Sequence, residues 1–413
     1  MEKSMEKYNR SQEGKRHGVQ DAISLSDCVF IVVGAEHYNT LGVVRTLGER
    51  GVAPYLLAYP SDKKLASSSR YVRETRTIDS VDDVMGALEK IRSETQGMIP
   101  CFVITSDDKT TSYLDLHYDE LVGRFFFFNA GQQGRLTHFM SKKSIGELAV
   151  ECGFDVLEEW VSTDGGIPEG LGYPVIAKAL FPTRDNWKND AQICHTREEL
   201  ESALTNAASS EMLIQRYLCK ENELCIEGFS VNQGKDCFLA ISTTYNYRLE
   251  KSYSPYMTVS TEVDESICRR ISEILKLIGY EGIFEVEFLL GKDGELYFGE
   301  INFRNSTWSY ASTYAGMPLP VLWARSCLAE KIAPSPKKDL SKEKFLAVVE
   351  PDDYYFRVKA GKMSLVQWIG ELRKVQCYYY WNGRDVMPVV AYISWKARNK
   401  LRAVKRRFGG REA

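Results

Sequence analysis

Histidine is scarce in this chain, five among 413 residues, and its ten cysteines are scattered with no Cys-x-x-Cys pair. Those shortages leave no ligand set for a zinc site and no thiol redox pair, and they fit a reduced cytosolic setting with cysteine as a small core residue. A charge excess of either sign is also missing. Fifty-three basic and 56 acidic side chains leave a net charge of −3, so nucleic acid is not an expected partner. No apolar run approaches the length of a membrane span. The strand ending at Gly34 lacks the further glycines of a dinucleotide loop, which argues against a nicotinamide cofactor. No internal repeat is present.

What is there is a composition 44% apolar and 26% charged, in a chain long enough for two or three domains. The mixed-charge segment Met1–Ser26 reads as a flexible tail and not as a signal peptide. From Cys28 to Asn129 strand and helix patterns alternate, with strands at 28–34, 54–58, 101–105 and 125–129. Asn39 or Thr40 is placed to cap a helix running to Arg50. Such alternation predicts a small parallel sheet, whose ligands sit beyond the carboxyl ends of its strands. Ser106 and Asp107, at such an end, are candidate substrate contacts; the plainer reading makes Asp107 a helix cap.

From about residue 131 the texture changes. Lys142 and Lys143 open an amphipathic helix ending at Gly153. Tyr173–Leu180 is an apolar strand with Lys178 inside it. A buried ammonium needs an anion, and phosphate is the natural one, against a structural ion pair. Glu211–Leu218 reads as a strand running into a polar loop that carries Glu221, Asn222 and Glu223, and Asp264–Gly279 as a capped helix.

The most informative stretch is Phe284–Arg304. Its two period-two runs flank Asp293-Gly294, the favoured pair for a two-residue turn. That turn sets Glu287 directly across from Glu300. Opposed carboxylates repel, and on a covered sheet they are costly unless a hard, oxygen-preferring cation such as Mg²⁺ lies between them. Asn302 and Arg304 continue the polar line towards whatever anion that cation accompanies. The competing reading is a solvated edge strand.

Lysine at a helix start, lysine in a buried strand, a strand–loop with trailing acids and a two-carboxylate hairpin ending in Asn and Arg occur in that order. The arrangement resembles the ATP-grasp superfamily over roughly residues 131–330, and is most similar to carboxylate–amine ligases of the D-aspartate ligase and carbamoyl-phosphate-synthase-like type. The resemblance implies an α/β and α+β chain: a pre-ATP-grasp strand–helix domain at 27–130, a two-lobed ATP-grasp domain at 131–332 with lobes of about 131–210 and 211–332, and a C-terminal extension at 333–413. It further implies ATP with Mg²⁺, or Mn²⁺ in its place. Lys142, with Lys143 as rival, and Lys178 match the phosphate-contacting lysines. Gln215, Arg216, Tyr217 and Leu218 match the hinge whose backbone meets the adenine edge, and Glu223 the acid that holds the ribose. Glu287, Glu300 and Asn302 match the metal ligands, and Arg304 the basic residue on the reacting phosphate. The implied activity is ADP-forming ligation of a small carboxylate to an amine; the alternatives are a carbamoyl-phosphate-type phosphorylating enzyme and a non-catalytic ATP-binding module.

Relatives carry a glycine-rich flap after the second lysine, whereas Ala179–Ala191 here contains no glycine, leaving Arg184 or Lys188 to substitute by charge. Arg248 is the candidate cation for a substrate carboxylate, against a surface pair. Tyr245, Tyr247, Tyr253 and Tyr256 either line an acceptor pocket or pack under the sheet. The stretch 334–344 reads as a linker. The segment Trp395–Phe408, with seven basic residues and no acidic one, reads equally as a peripheral contact to an anionic membrane face or as a solvated helix end.

Overall fold

A computed structural model describes residues 24–95, 99–163, 165–181, 191–209, 211–249, 253–292, 294–329 and 343–408, the side chains to 403. Three sheets carry the chain. The first is parallel, in the order β3-β2-β1-β4, from β1 (Val29–Gly34), β2 (Tyr55–Ala58), β3 (Glu74–Thr77) and β4 (Cys101–Thr105). β1, β2 and β4 are buried on both faces, as strands of parallel sheets are, and only the edge strand β3 is exposed. Val29, Ile31 and Val33 pack into one core, while Phe30 and Val32 face the core shared with the rest of the molecule.

The sequence reading needs correction at three points here. The helix Tyr38–Gly48 is capped by His37, whose ring accepts the Asn39 N–H; the Asn39 side chain reaches across the molecule instead. Residues 125–129 form no strand, only isolated bridges at Phe126 and Asn129. Of the expected tail, 1–23 lie outside the described residues, and Leu25–Asp27 form a short 3-10 turn with Leu25 buried.

The second sheet is small and antiparallel, β6-β9-β7-β8, from β6 (Glu159–Ser162), β7 (Val175–Ala179), β8 (Gln192–Cys194) and β9 (Met212–Arg216). Val175, Ala177, Met212 and Ile214 give it a core of its own. The third sheet has eight strands: β5 (Asp155–Val156), β10 (Asn222–Val231), β11 (Asp236–Tyr245), β12 (Tyr256–Ser260), β13 (Gly282–Leu290), β14 (Leu296–Asn302), β15 (Lys344–Val348) and β16 (Cys377–Tyr378). β9 completes the small sheet, and the large sheet's β10 follows from Asn222. The C-terminal segment supplies β15 and β16 to the large sheet. Asp264 caps the helix Glu265–Ile278 through its side chain and Gly279 closes it in the left-handed conformation, with Ile271, Ile274, Leu275 and Ile278 buried against the large sheet.

The β13–β14 hairpin departs from the expected turn twice, and the departures cancel. Gly291 N–H donates to Glu295 O at 2.9 Å, so the loop is one residue longer than two; Gly294 takes φ +85° there, and Asp293 lies outside the described residues. A bulge then lets Phe288 face Phe298 while Glu287 faces Glu300, leaving Gly299 as the extra residue. A Cβ on Gly299 would sit 2.9 Å from Glu287 O, so the bulge requires glycine. The opposed carboxylates are restored by the second irregularity.

Candidate functional site

Four separate pieces of chain bring charge to the Glu287–Glu300 pair. Lys142 opens the helix Lys142–Glu151, and its Nζ donates to Glu300 Oε2. Its neighbour Lys143 points to solvent and lies 3.9 Å from Glu147. The helix start is anchored to the small sheet, since Lys142 N–H donates to Leu180 O at 3.3 Å. On β7 the core faces alternate with half-buried positions, which turns Lys178 away from the small core. Its Nζ donates to Gln215 Oε1 at 3.0 Å, and Gln215 Nε2 donates to Glu159 Oε2 at 2.9 Å.

At the strand ends Asn302 Nδ2 donates to Glu287 Oε1 at 2.8 Å and to Glu285 Oε2 at 3.1 Å. Arg304 donates from NH2 to Asn302 Oδ1 at 3.0 Å and from Nε to Asp108 Oδ1 at 2.9 Å. Asp108 belongs to the first sheet's domain, at the start of the helix Asp108–Leu116. A continuous chain of charged and amide groups therefore runs from the N-terminal domain to the hairpin carboxylates.

These neighbours pull the ionisable groups apart. Burial opposes the charged form of Glu300, but Lys142, Lys178 and Arg304 outweigh it and hold the carboxyl down at about 2. Glu287 goes the other way: burial, then the Glu300 and Glu285 charges, push it well above the carboxylate range. Burial would lower Lys142, yet Glu300 raises it, whereas burial and the Lys142 charge push Lys178 down to about 8. One carboxylate is thus matched and its partner is not. The carboxylates of Glu287 and Glu300 are oxygen donors of the type Mg²⁺ or Mn²⁺ prefers, while the Asn302 oxygen is turned to Arg304 and its amide nitrogen to Glu287 and Glu285. Among the described residues no group of three or more His, Cys, Asp or Glu converges as a metal site.

Glu223 lies near enough to Glu287 for its charge to help raise that carboxyl. Its Oε1 accepts from Lys220 Nζ, and its buried Oε2 has no partner, an orphaned acceptor suited to a hydroxyl. Arg248 donates from NH1 to Lys220 O and lines a small cavity with Lys220, Asn222, Glu223, Tyr245 and Leu249. It is brought to Glu223 and not into the bonded chain of the hairpin. The hinge is already partly occupied: Arg216 N–H donates to Glu158 O at 2.9 Å and Tyr217 N–H to Pro174 O at 3.1 Å. An adenine edge would therefore meet Leu218 or the carbonyls of this segment, not those two N–H groups, and the Gln215 side chain is held by Lys178 and Glu159.

The sequence reading missed Asp108 and Glu159 altogether and passed over Glu227. Ser106 and Asp107, its candidates at that strand end, turn inward: Ser106 Oγ bonds Thr40 Oγ1 at 2.8 Å, and Asp107 caps its helix through Thr110 N–H at 2.8 Å. Glu227 faces Glu285 across β10 and β13, both are buried, and burial raises both carboxyls, to about 8 and about 7. The tyrosines divide. Tyr245 and Tyr253 have ring centroids 6.1 and 6.4 Å from that of Trp308, whereas Tyr247 bonds Asp353 at 2.8 Å and shares the Arg357 guanidinium with Tyr256. The flap candidates Arg184 and Lys188 lie outside the described residues.

Residues 141–333 match the family model of the carbamoyl-phosphate synthase L chain, ATP binding domain. This segment is an ATP-grasp domain. The N5-carboxyaminoimidazole ribonucleotide synthase of Staphylococcus aureus is 24% identical over 169 residues, 41% of this chain and 44% of that protein. The chain thus spans less than half the length of the curated relative. Among solved structures, N5-carboxyaminoimidazole synthetase from Staphylococcus aureus complexed with ADP aligns with TM-score 0.57 and 15% identity over 76% of this chain and 80% of that one. L-amino acid ligase from Bacillus licheniformis aligns with TM-score 0.55 and 14% identity over 74% and 77%. At these identities the likeness is one of fold. It extends beyond the ATP-grasp segment itself, because three quarters of this chain is covered.

Proposed function

We propose that the protein is an ATP-dependent, ADP-forming ligase that activates a small carboxylate as an acylphosphate and joins it to an amine. The observation that carries this reading is the matched and unmatched carboxylate pair, Glu300 held by Lys142 and Glu287 left without a cation, at the convergence of Lys178, Asn302 and Arg304. Glu287, Glu300 and Asn302 would hold Mg²⁺, which supplies charge neutralisation to the triphosphate. Lys178 and Lys142 stand on two walls of the cleft to bear on phosphate oxygens. Glu223 Oε2 takes a ribose hydroxyl. Arg304 bears on the phosphoryl group in transfer and stabilises charge that develops there.

In the first step a substrate carboxylate oxygen attacks the γ-phosphorus, the bond to the β–γ bridging oxygen breaks, and ADP leaves. In the second the amine nitrogen attacks the acyl carbon, phosphate departs, and the amine gives up a proton to a neighbouring base. Activation is needed because a bare carboxylate would have to expel oxide. Arg248, beside Glu223, remains the proposed contact for a substrate carboxylate. Small molecules are the partners of this reading. Its setting is cytoplasmic with a peripheral membrane contact through the cation-rich C-terminal helix; among the described residues no helix is long and apolar enough to cross a membrane.

The test is a matrix of amino acids and carboxylates with Mg·ATP, scored by ADP release and by mass detection of products. An amide product with stoichiometric ADP supports ligation. Hydroxamate formed without any amine-dependent product makes the enzyme a phosphorylating one, and tight nucleotide binding with no ADP from any pair removes the catalytic reading.

A further inference from the structure

The helix Met387–Phe408 is amphipathic twice over. One face packs on the protein: Tyr392 meets the Tyr380 ring at 5.0 Å and the Trp395 ring at 5.8 Å, Lys63 lies over it, and Arg402 pairs with Asp62 at 3.0 Å. Pro388, Tyr392, Trp395 and Asn399, spaced by three and four, are among its buried or half-buried positions, with Val389 and Ala391 beside them. The opposite face is also apolar, yet nothing in the described fold covers it. Val390, Ile393 and Leu401 are 47%, 59% and 61% exposed, and Ala397 lies between the last two. Those four follow at intervals of three, four and four, which keeps them on a single stripe along the outer surface.

Cations flank that stripe on both sides. At about 100° per residue Lys400 falls along one edge and Arg398 along the other, while Lys396, over the Tyr392 and Trp395 rings, and Arg402, paired with Asp62, lie nearer the packed face. All four are exposed, and no acidic residue occurs anywhere in the helix. An outward apolar stripe with cations on both sides suits a surface that is apolar inside and anionic at its rim. A second copy of this helix would set like charges face to face, which disfavours a dimer through it.

We infer that this helix docks the protein onto an anionic lipid surface, lying in the membrane plane with Val390, Ile393, Ala397 and Leu401 among the acyl chains and the flanking Arg398 and Lys400 at the phosphates. The inference rests on the peripheral-contact part of the proposal above and not on the ligase chemistry. It adds an orientation: the rest of the protein, on the aromatic side of the helix, is held outside the bilayer.

The experiment is co-sedimentation of the full chain with vesicles of phosphatidylcholine alone and with 30 mol% phosphatidylglycerol, for the wild type, Ile393→Asp/Leu401→Asp and Arg398→Gln/Lys400→Gln, beside light-scattering masses and thermal melts. Binding only to the anionic vesicles is expected, at least tenfold weaker in both variants, with melting temperatures unchanged because these side chains face away from the protein. Undiminished binding by Ile393→Asp/Leu401→Asp overturns insertion of the stripe and leaves a purely electrostatic contact. Absence of wild-type binding overturns the peripheral contact itself. A dimer that the aspartate variant dissociates assigns the stripe to a second copy and overturns the lipid proposal.

Discussion

Arg304, just beyond β14, and Asp108, which opens the helix after β4, form an ion pair at 2.9 Å that joins the parallel-sheet region to the β13–β14 hairpin. The arginine's other contact, to Asn302, leads on to Glu287. Asp108 therefore acts through Arg304 as a positioning residue. Replacing it by asparagine keeps the shape and a weaker acceptor while releasing the guanidinium. We expect kcat for ADP formation to fall about tenfold or more, with KM for Mg·ATP within about threefold. A change confined to KM, or none, would show that Arg304 does not depend on this partner.

Lys142 is buried and pairs with the half-buried Glu300, and Lys178 adds a second cation nearby. Glu300→Ala would leave the Lys142 ammonium unmatched, so loss of ADP formation should come with a stability loss of about 3–5 kcal/mol. The double variant Glu300→Ala/Lys142→Met should recover most of that stability and none of the activity. Urea denaturation of the four corners of this cycle separates the two effects. A Glu300→Ala protein as stable as wild type would mean that the pair is solvated in solution.

How much of this was readable beforehand follows from sequence distance. The opposed pair Glu287 and Glu300 lies within one hairpin, where alternation and turn residues speak for themselves; even so, the loop length and the bulge at Gly299 were invisible, and the register came out the same only because they compensate. The resemblance located the ATP-grasp segment that the family comparison also matches at 141–333. Partners contributed across the fold left no local trace. Asp108 lies 196 residues from Arg304, and nothing local set it apart from the neighbouring Asp107. Glu159 stands in a four-residue strand without pattern. The inner half of the C-terminal segment was illegible for the same reason, because β15 and β16 acquire meaning only beside β12.

Arg45 and Asp385 make the strongest such long-range tie. Both side chains are fully buried, Nε to Oδ2 is 3.0 Å, and the guanidinium also donates to the carbonyls of Tyr379, Tyr380 and Asp385. Asp385 accepts in addition from Ser69 Oγ and Arg70 N–H. Asp385→Ala strands a buried cation and two further donors, so we expect a loss of about 3–5 kcal/mol. Thermal melts and limited proteolysis check this, with cleavage after residue 343 expected first. A melting temperature within about 2 °C of wild type would show the C-terminal segment to be held by other contacts.

Lys178 gives the cleft a pH dependence of definite sign. Burial and Lys142 bring its folded pKa down to about 8, while an unfolded lysine titrates near 10.4. The lowered value means that the charged form costs stability below pH 8, and that this cost is relieved as pH rises from about 8 towards 10. Nucleotide binding runs the other way, because a triphosphate favours the ammonium. Affinity for a non-hydrolysable Mg·ATP analogue should therefore drop about tenfold between pH 7.5 and 9, with proton uptake on binding at the higher pH. Calorimetry in two buffers of different ionisation enthalpy measures both quantities, and Lys178→Met should bind weakly with that fall removed. If the wild type binds equally well across this range, or the methionine variant keeps the same slope, Lys178 is not the group that meets the phosphates.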